Sequence, residues 1–518
     1  MYTFTKTVFV VLISGLLFIS TVGGCGNGGG GDEPFPPPNA LAIRLAQRGQ
    51  TAPDGQATFI AFLRLAGPSK GGVAAFLSLE RITEDVRRLV LYLADTSGLT
   101  EVARNGEPAP GGGIFRGFPQ IIGVNDQAEI AFIGRVAESP DDEFGDTEGY
   151  YLGSEEGINV LVREGDAVPG GGTVFKICLP GFLGCFYNYG NLNESGQISY
   201  VAALKDTPGG DSDNRALYIA DSSEVTEIAR KGDPVPGGNG VFEDFFDTAG
   251  PNENGQVAFI GRISGSSGGE SDNEGIYLAA EGGIIELARE GNAVPGGNGI
   301  FGNFQLLSGI NDSGQAAFSA HLDGTTGGET DNEAIYLASE EGLTELVRKG
   351  EPVPGGGGDV IDSEFYPRGP NENGQVAFGA GIRSGDEDVP IDSALFLAGP
   401  SGITTLIRHG DPGPGGVGQF AQFGLAGLND SGQIIFRSRL FEGKKSAQGL
   451  YRVGPGEEVT ALAQQFQPAP PDGSKLFRSI EDNRYRGPSE SGLAFFVAGL
   501  MNADRSYSIQ DTGIFLAE

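Results

Sequence analysis

The chain has 518 residues, more than one core usually holds unless the fold is modular. Its 68 acidic residues against 34 basic ones leave a net charge of −34, which repels phosphate backbones and anionic lipid headgroups and so argues against a nucleic-acid partner. What remains is attraction for cations or basic partners, or plain solubility.

The N-terminus reads as an export signal. Lys6 gives a weakly positive start, and Val8 to Ile19 is an apolar run broken only by Ser14 and Gly15. That run is short for a membrane span and has the length of a signal-peptide core. It ends in Val22-Gly23-Gly24-Cys25, which resembles a lipobox. The resemblance implies that residues 1–24 are a lipoprotein signal peptide and that Cys25 becomes the diacylglycerol-bearing N-terminus. The competing reading is an ordinary signal peptide with a chance cysteine. Residues 25–39 are Gly-rich, then acidic, then Pro-rich, and have nothing to bury, so they read as a flexible tether. Gly26 stands where some Gram-negative inner-membrane retention signals place Asp, which favours the outer membrane. The expectation is an exported monomer in the cell envelope that touches the membrane only through its anchor.

From residue 40 onward one unit recurs eight times. Its first signature is Asn-x-x-Gly-Gln, an apolar run and an aromatic: Asn252-Glu-Asn-Gly255-Gln256-Val-Ala-Phe259, and likewise from Asn193, Asn311, Asn371 and Asn429. Weaker copies start at Ser69, Asn125 and Ser489, with Ala128 in the Gly place of the Asn125 copy. The Gly place falls at 72, 128, 196, 255, 314, 374, 432 and 492. The second signature is a short aromatic strand such as Ile276-Tyr277-Leu278-Ala279. The third is Leu-Ala-Arg-x-Gly with a Pro four residues on, as in Leu287-Ala288-Arg289-Glu290-Gly291 to Pro295. Its worst copy runs from Leu462 to Pro470, with Phe466 in the Gly place.

The apolar stretches are short, alternate, and are rich in Val, Ile, Phe and Tyr, which makes them strands. Asn193, Asn252, Asn311, Asn371 and Asn429 are assigned to turn chemistry, in which the Asn side chain bonds nearby backbone and Gly takes the positive φ. Four strands per unit, eight times, predict an all-β, eight-bladed β-propeller over residues 40–518. The chain opens on the third signature, at Ala42 to Gly49, and closes on the second, at Gly513 to Glu518. The first strand is therefore expected to complete the last blade and close the ring.

This order of signatures resembles the Tol-system propeller family, and more specifically a group of bacterial exported tandem-repeat proteins with an N-x-x-G-x-x-x-F motif. The resemblance covers about residues 40–518 and implies a propeller. It implies no activity, because the function of that group is not established.

With strands lettered A to D from axis to rim, the Asn-x-x-Gly turns join A to B, and the B–C and D–A loops form the opposite face. Three consecutive B–C loops carry Gly-Gly-Asp-Ser-Asp213-Asn214, Gly-Gly-Glu-Ser-Asp272-Asn273 and Gly-Gly-Glu-Thr-Asp331-Asn332. Their neighbours carry Asp141-Asp142-Glu143 and Asp386-Glu387-Asp388. Asp213, Asp272 and Asp331 are weighed as structural turn residues, as Ca²⁺ ligands and as contacts for a cationic partner, with the turn first. The outer-strand arginines Arg104, Arg163, Arg230, Arg289, Arg348 and Arg408 are read as blade-to-blade bridges rather than a ring of anion sites. Cys178 and Cys185 are seven apart with turn formers between them, and in an oxidising compartment a disulfide is the default over a metal or redox pair. With two His, His321 and His409, on different repeats, no catalytic triad is legible and no catalytic residue is assigned. No cofactor is assigned beyond the Ca²⁺ reading. The functional expectation is a tethered binding or scaffold module for an unidentified protein or glycan. The alternative is a carbohydrate-active hydrolase or lyase working through carboxylates.

Overall fold

A computed structural model describes residues 42–518 apart from 139–145, 178–191, 363–364, 385–391, 472, 503–505 and 507–510. It is an eight-bladed β-propeller of antiparallel blades. Blade 1 spans residues 58–104, blade 2 114–163, blade 3 173–230, blade 4 241–289, blade 5 300–348, blade 6 359–408 and blade 7 419–464. Blade 8 spans 475–517 and takes its outer strand, Ala42–Gln47, from the start of the chain. That strand pairs antiparallel with Thr512–Ala517, Ala42 facing Ala517 and Gln47 facing Gly513, so the closure expected from the chain ends is observed.

The first two signatures meet inside each blade. The aromatic of the Asn-x-x-Gly strand lies directly opposite the aromatic of the next strand. In blade 4 Phe259 faces Tyr277, with stacked rings 5.5 Å apart. The same stacked pair recurs in every other blade, from Phe76 and Tyr92 in blade 1 to Phe496 and Phe515 in blade 8. In blades 4 and 5 an inner-strand Phe, Phe242 or Phe301, meets the Tyr edge-on at 5.0 or 5.1 Å. Offset stacks and edge contacts of this kind add about 0.5–1.5 kcal/mol per pair beyond area burial.

The larger apolar stabilisation lies between blades. Each of the eight seams has its own cluster of buried side chains. The seam of blades 4 and 5 packs Ile276 and Leu278 against Phe301, Phe318 and Tyr336. The closing seam packs Phe495, Val497, Ile514 and Leu516 of blade 8 against Phe59, Phe76 and Tyr92 of blade 1. One blade alone leaves an apolar face bare on each side, so the repeat needs its neighbours to fold.

Where the repeat degenerates, the backbone still follows it. Ala128 takes φ +56° in the place held by Gly255 at φ +70°, and Phe466 takes φ +73° where Gly291 has φ +81°.

Candidate functional site

The two faces of the propeller are built differently. On the A–B face the turn asparagines form a hoop. Asn252 Oδ1 accepts the N–H of Gln256 at 2.8 Å, closing its own turn. Its Nδ2 donates to the carbonyl of Asn311 in the next blade at 2.8 Å. Asn125 donates in the same way to Asn193, Asn193 to Asn252, Asn311 to Asn371, Asn371 to Asn429, and Asn429 to Ser489. All six asparagines are buried. The turn role expected of Asn193, Asn252, Asn311, Asn371 and Asn429 is therefore observed, together with a link between blades that sequence reasoning did not anticipate. Ser69 and Ser489 keep the turn, each Oγ accepting a backbone N–H at 3.1 Å, from Val73 and Leu493, but a hydroxyl has no amide to send across.

A second ring stands outside the hoop. The residue after each turn Asn accepts, through its carboxylate, the N–H of the residue at the same place in the preceding blade. Asp126 donates its N–H to Glu194 at 2.9 Å, Glu194 to Glu253 at 3.1 Å, and Glu253 to Asp312 at 2.9 Å. Asp312 continues to Glu372 at 3.1 Å, Glu372 to Asp430 at 2.8 Å, and Asp430 to Glu490 at 3.2 Å. At the start, Gly71 N–H meets Asp126 at 2.5 Å. At the closing seam the acceptor is a backbone carbonyl, Glu490 N–H to Lys70 O at 3.2 Å. Crowded and partly desolvated, Glu194, Glu372 and Glu490 have carboxyls raised above the ordinary Glu value, burial first and neighbouring carboxylates next. Partial burial works against the Lys70 ammonium, and Asp312, Glu372, Asp430 and Glu490 outweigh it, so its pKa is raised.

On the opposite face the B–C loops of blades 3, 4 and 5 share one rigid construction. Each has a single 3-10 turn, Gly210–Ser212, Gly269–Ser271 or Gly328–Thr330, followed by the loop Asp. Asp213 accepts the Thr207 hydroxyl at 2.5 Å and the Gly209 N–H at 2.9 Å. Asp272 accepts the Ser266 hydroxyl and the Gly268 N–H, and Asp331 the Gly327 N–H at 3.1 Å. The Thr207 hydroxyl, then the Gly209 N–H, holds the Asp213 carboxyl below the usual range. For Asp272 and Asp331, burial pulls upward, and the hydroxyl, amide and N–H donors more than offset it. The loops of blades 4 and 5 are also tied to the neighbouring D–A loop: Asn239 Nδ2 donates to Asp272 at 3.2 Å and Asn298 Nδ2 to Asp331 at 2.9 Å. The three aspartates are thus engaged as turn residues. The acidic side chains left facing solvent are Asp211, Glu270 and Glu329, at the start of each 3-10 turn. No cluster of three or more His, Cys, Asp or Glu with metal-binding geometry occurs among the described residues. Asp141 to Glu143, Asp386 to Asp388, Cys25, Cys178 and Cys185 lie outside the described residues.

Four outer-strand arginines, Arg163, Arg230, Arg289 and Arg348, bridge to a neighbouring blade's loop as expected, whereas Arg104 and Arg408 make their closest contacts within their own blades. Arg230 Nη2 donates to the Pro169 carbonyl at 2.8 Å, Arg289 to Asn239 O at 2.9 Å and Arg348 to Asn298 O at 3.1 Å. Each carbonyl belongs to the loop arriving from the preceding blade. Arg163 reaches Gly112 O at 2.9 Å, and Arg408 uses a carboxylate, Asp359, at 2.7 Å. Arg104 pairs with Glu101 of its own strand and lies 3.7 Å from Asp54 in the loop leading into its blade. His321 lies 3.7 Å from Asp323 in blade 5 and His409 3.0 Å from Asp392 in blade 6, so the structure does not bring the two histidines together.

Sequence reasoning missed Asp247. It sits at a bulge of the inner strand of blade 4, between Phe246 and Thr248, with φ +24°, and burial pushes its carboxyl up to about 6.

The profile of a family of unknown function, DUF7453, matches residues 91–287 and 252–518. No curated protein sequence matches the chain. Among solved structures, the chain is similar to the β-propeller domain of the Trilobed protease from Pyrococcus furiosus, at 9% identity and TM-score 0.38, over 78% of this chain and 98% of that one. It is similar to a puromycin-hydrolyzing peptidase of Mycobacterium tuberculosis at 13% identity and TM-score 0.36, over 88% of this chain but only 60% of the peptidase. It is similar to TolB from Acinetobacter baumannii at 14% identity and TM-score 0.26, over 75% of this chain and 79% of TolB.

Proposed function

We propose, for a chain that belongs to the family of unknown function DUF7453, the role of a binding or scaffold module: an exported propeller, lipid-anchored through Cys25, with the outer membrane favoured, whose B–C face meets a protein or glycan. The observation that supports this reading most is the threefold rim of blades 3 to 5. Three loops of one construction are braced by their own Asp, and those of blades 4 and 5 also by the neighbouring Asn, so that Asp211, Glu270 and Glu329 project at a spacing of one blade. Such a surface loses little conformational freedom on binding, which favours affinity without large contact area. Its repeated negative charge suits a basic peptide segment or a glycan bearing amines. The test is a glycan and basic-peptide array probed with the protein and with a Glu270→Lys, Glu329→Lys variant. Retention of one probe class that the variant loses supports the reading; binding that is indifferent to the reversal moves the contact elsewhere. Anchoring is read separately, by palmitate labelling of the full chain in cells with Cys25→Ser as the comparison.

A second reading, carbohydrate chemistry through carboxylates, draws on Asp247. A carboxyl raised to about 6 in the inner strand has the protonation behaviour of a general acid. Turnover of polysaccharide that Asp247→Asn abolishes is the result that favours it.

A further inference from the structure

The two rings of the A–B face share a defect at one place. The amide hoop is missing at Ser69 and Ser489, the turns that flank the closing seam. The carboxylate ring is missing there too, because its eighth position is Lys70. The carbonyl of Lys70 takes over the acceptor role, which releases its side chain. The side chain does not run out to solvent. Its Nζ lies 3.6 Å from Asp312 Oδ2 and 3.9 Å from Glu372 Oε1. Those carboxylates belong to blades 5 and 6, the far side of an eight-membered ring from blade 1, so the chain of Lys70 lies across the axis.

We propose that Lys70 is an axial latch: its ammonium crosses the mouth of the channel on the A–B face, ties blade 1 to blades 5 and 6, and reinforces the ring beside the seam where the two side-chain rings of this face are interrupted. Seven carboxylates gathered around one axis repel each other. A lysine serves this place better than an arginine bridge to any one of them, because a compact ammonium on a flexible stem is shared among several acceptors. This inference rests on the ring geometry alone and stands or falls independently of the ligand proposed for the B–C loops.

The test compares the full chain with Lys70→Met and Lys70→Arg by thermal melting at low and high salt. A half-exposed ion pair spread over several partners predicts a melting temperature about 2 °C lower for Lys70→Met at about 10 mM NaCl. The gap is expected to close at about 500 mM NaCl, where the ring's own repulsion and the latch are both screened. Lys70→Arg keeps the charge and is expected to recover most of the loss. A Lys70→Met protein that melts with the wild type at low salt, or a deficit that salt leaves unchanged, overturns the proposal. If Lys70→Met does not fold, amine acylation of the wild-type protein read by mass spectrometry answers instead. Lys70 is then expected to react several-fold more slowly than the exposed Lys444 and Lys445 at low salt, with the ratio narrowing as salt rises; equal rates at low salt overturn it.

Discussion

Replacing Asn252 by Ser separates the two tasks of the turn asparagine. Its Oδ1 closes the turn through Gln256 and Asn254 N–H, and its Nδ2 reaches both Gln256 Oε1 and the Asn311 carbonyl of the next blade at 2.8 Å. Ser69 and Ser489 show that a hydroxyl still serves the turn. Asn252→Ser therefore leaves the turn closed and removes two hydrogen bonds, one to the half-buried Gln256 Oε1 and one to the Asn311 carbonyl, which keeps only the Gly314 N–H of its own turn. A hydrogen bond of this kind is worth about 0.5–1.5 kcal/mol, so losing the two predicts a loss of about 2 kcal/mol. Asn254, two residues on, donates to the Asp312 carbonyl at 2.7 Å in an exposed setting where water substitutes, and Asn254→Ser is expected to cost about 0.5 kcal/mol or less. Equilibrium urea unfolding of the two variants measures the difference, as a shift of midpoint at unchanged slope. If Asn252→Ser costs no more than Asn254→Ser, the amide hoop does not hold blades together and the reasoning fails.

Three further outcomes are expected. Ala128 is exposed and sits at φ +56°, a conformation that costs a non-Gly residue about 1–2 kcal/mol, against about 0.4–1 kcal/mol for the added freedom of Gly in the unfolded chain; Ala128→Gly should raise stability by up to about 1 kcal/mol, and a drop in thermal midpoint contradicts that. Asp247, raised to about 6 in the fold from 3.8, is a burden as an anion that is relieved as pH falls through 6 toward 4; Asp247→Asn should gain about 2 kcal/mol at pH 7 and nothing at pH 4, and a difference that is flat over that range by pH-dependent unfolding refutes the burial argument. Because Asp213 and Asp272 spend both oxygens on loop donors and Asp331 spends its Oδ2, Ca²⁺ and chelator should leave the melting temperature unmoved; a rise that Asp272→Ala and Asp331→Ala abolish makes the loops metal sites.

The fold was legible because each blade repeats its local chemistry. Asn252, Phe259, Tyr277 and Arg289 recur in order, and each does in the structure what its residue type does locally: turn, stack, stack, bridge. What is local in sequence was readable even in the worst copies, since the backbone at Phe466 follows the Gly pattern through φ +73°. The rings were not legible. Asp126, Glu194 and Asp312 stand in plain view after their asparagines, yet they are dozens of residues apart, and only closure of the ring brings each against the next. Lys70 carries no signal in its own repeat, because the partners that give it meaning, Asp312 and Glu372, lie in distant repeats. Asp247 had no signal at all: its burial comes from a bulge, and a bulge is a property of strand pairing rather than of the residues at that point.

The strand that completes blade 8 has a mechanical consequence. It is the first described segment of the chain, so any tension on the residues before it arrives at Ala42 before it reaches another part of the ring. Five backbone pairings, from Ala42 with Ala517 to Gln47 with Gly513, carry that load. Drawn along its own axis, the strand shears against its neighbour and the pairings resist together; peeled outward, they yield one at a time. The direction of a pull on the N-terminal side therefore sets how much force the propeller bears before its ring comes undone.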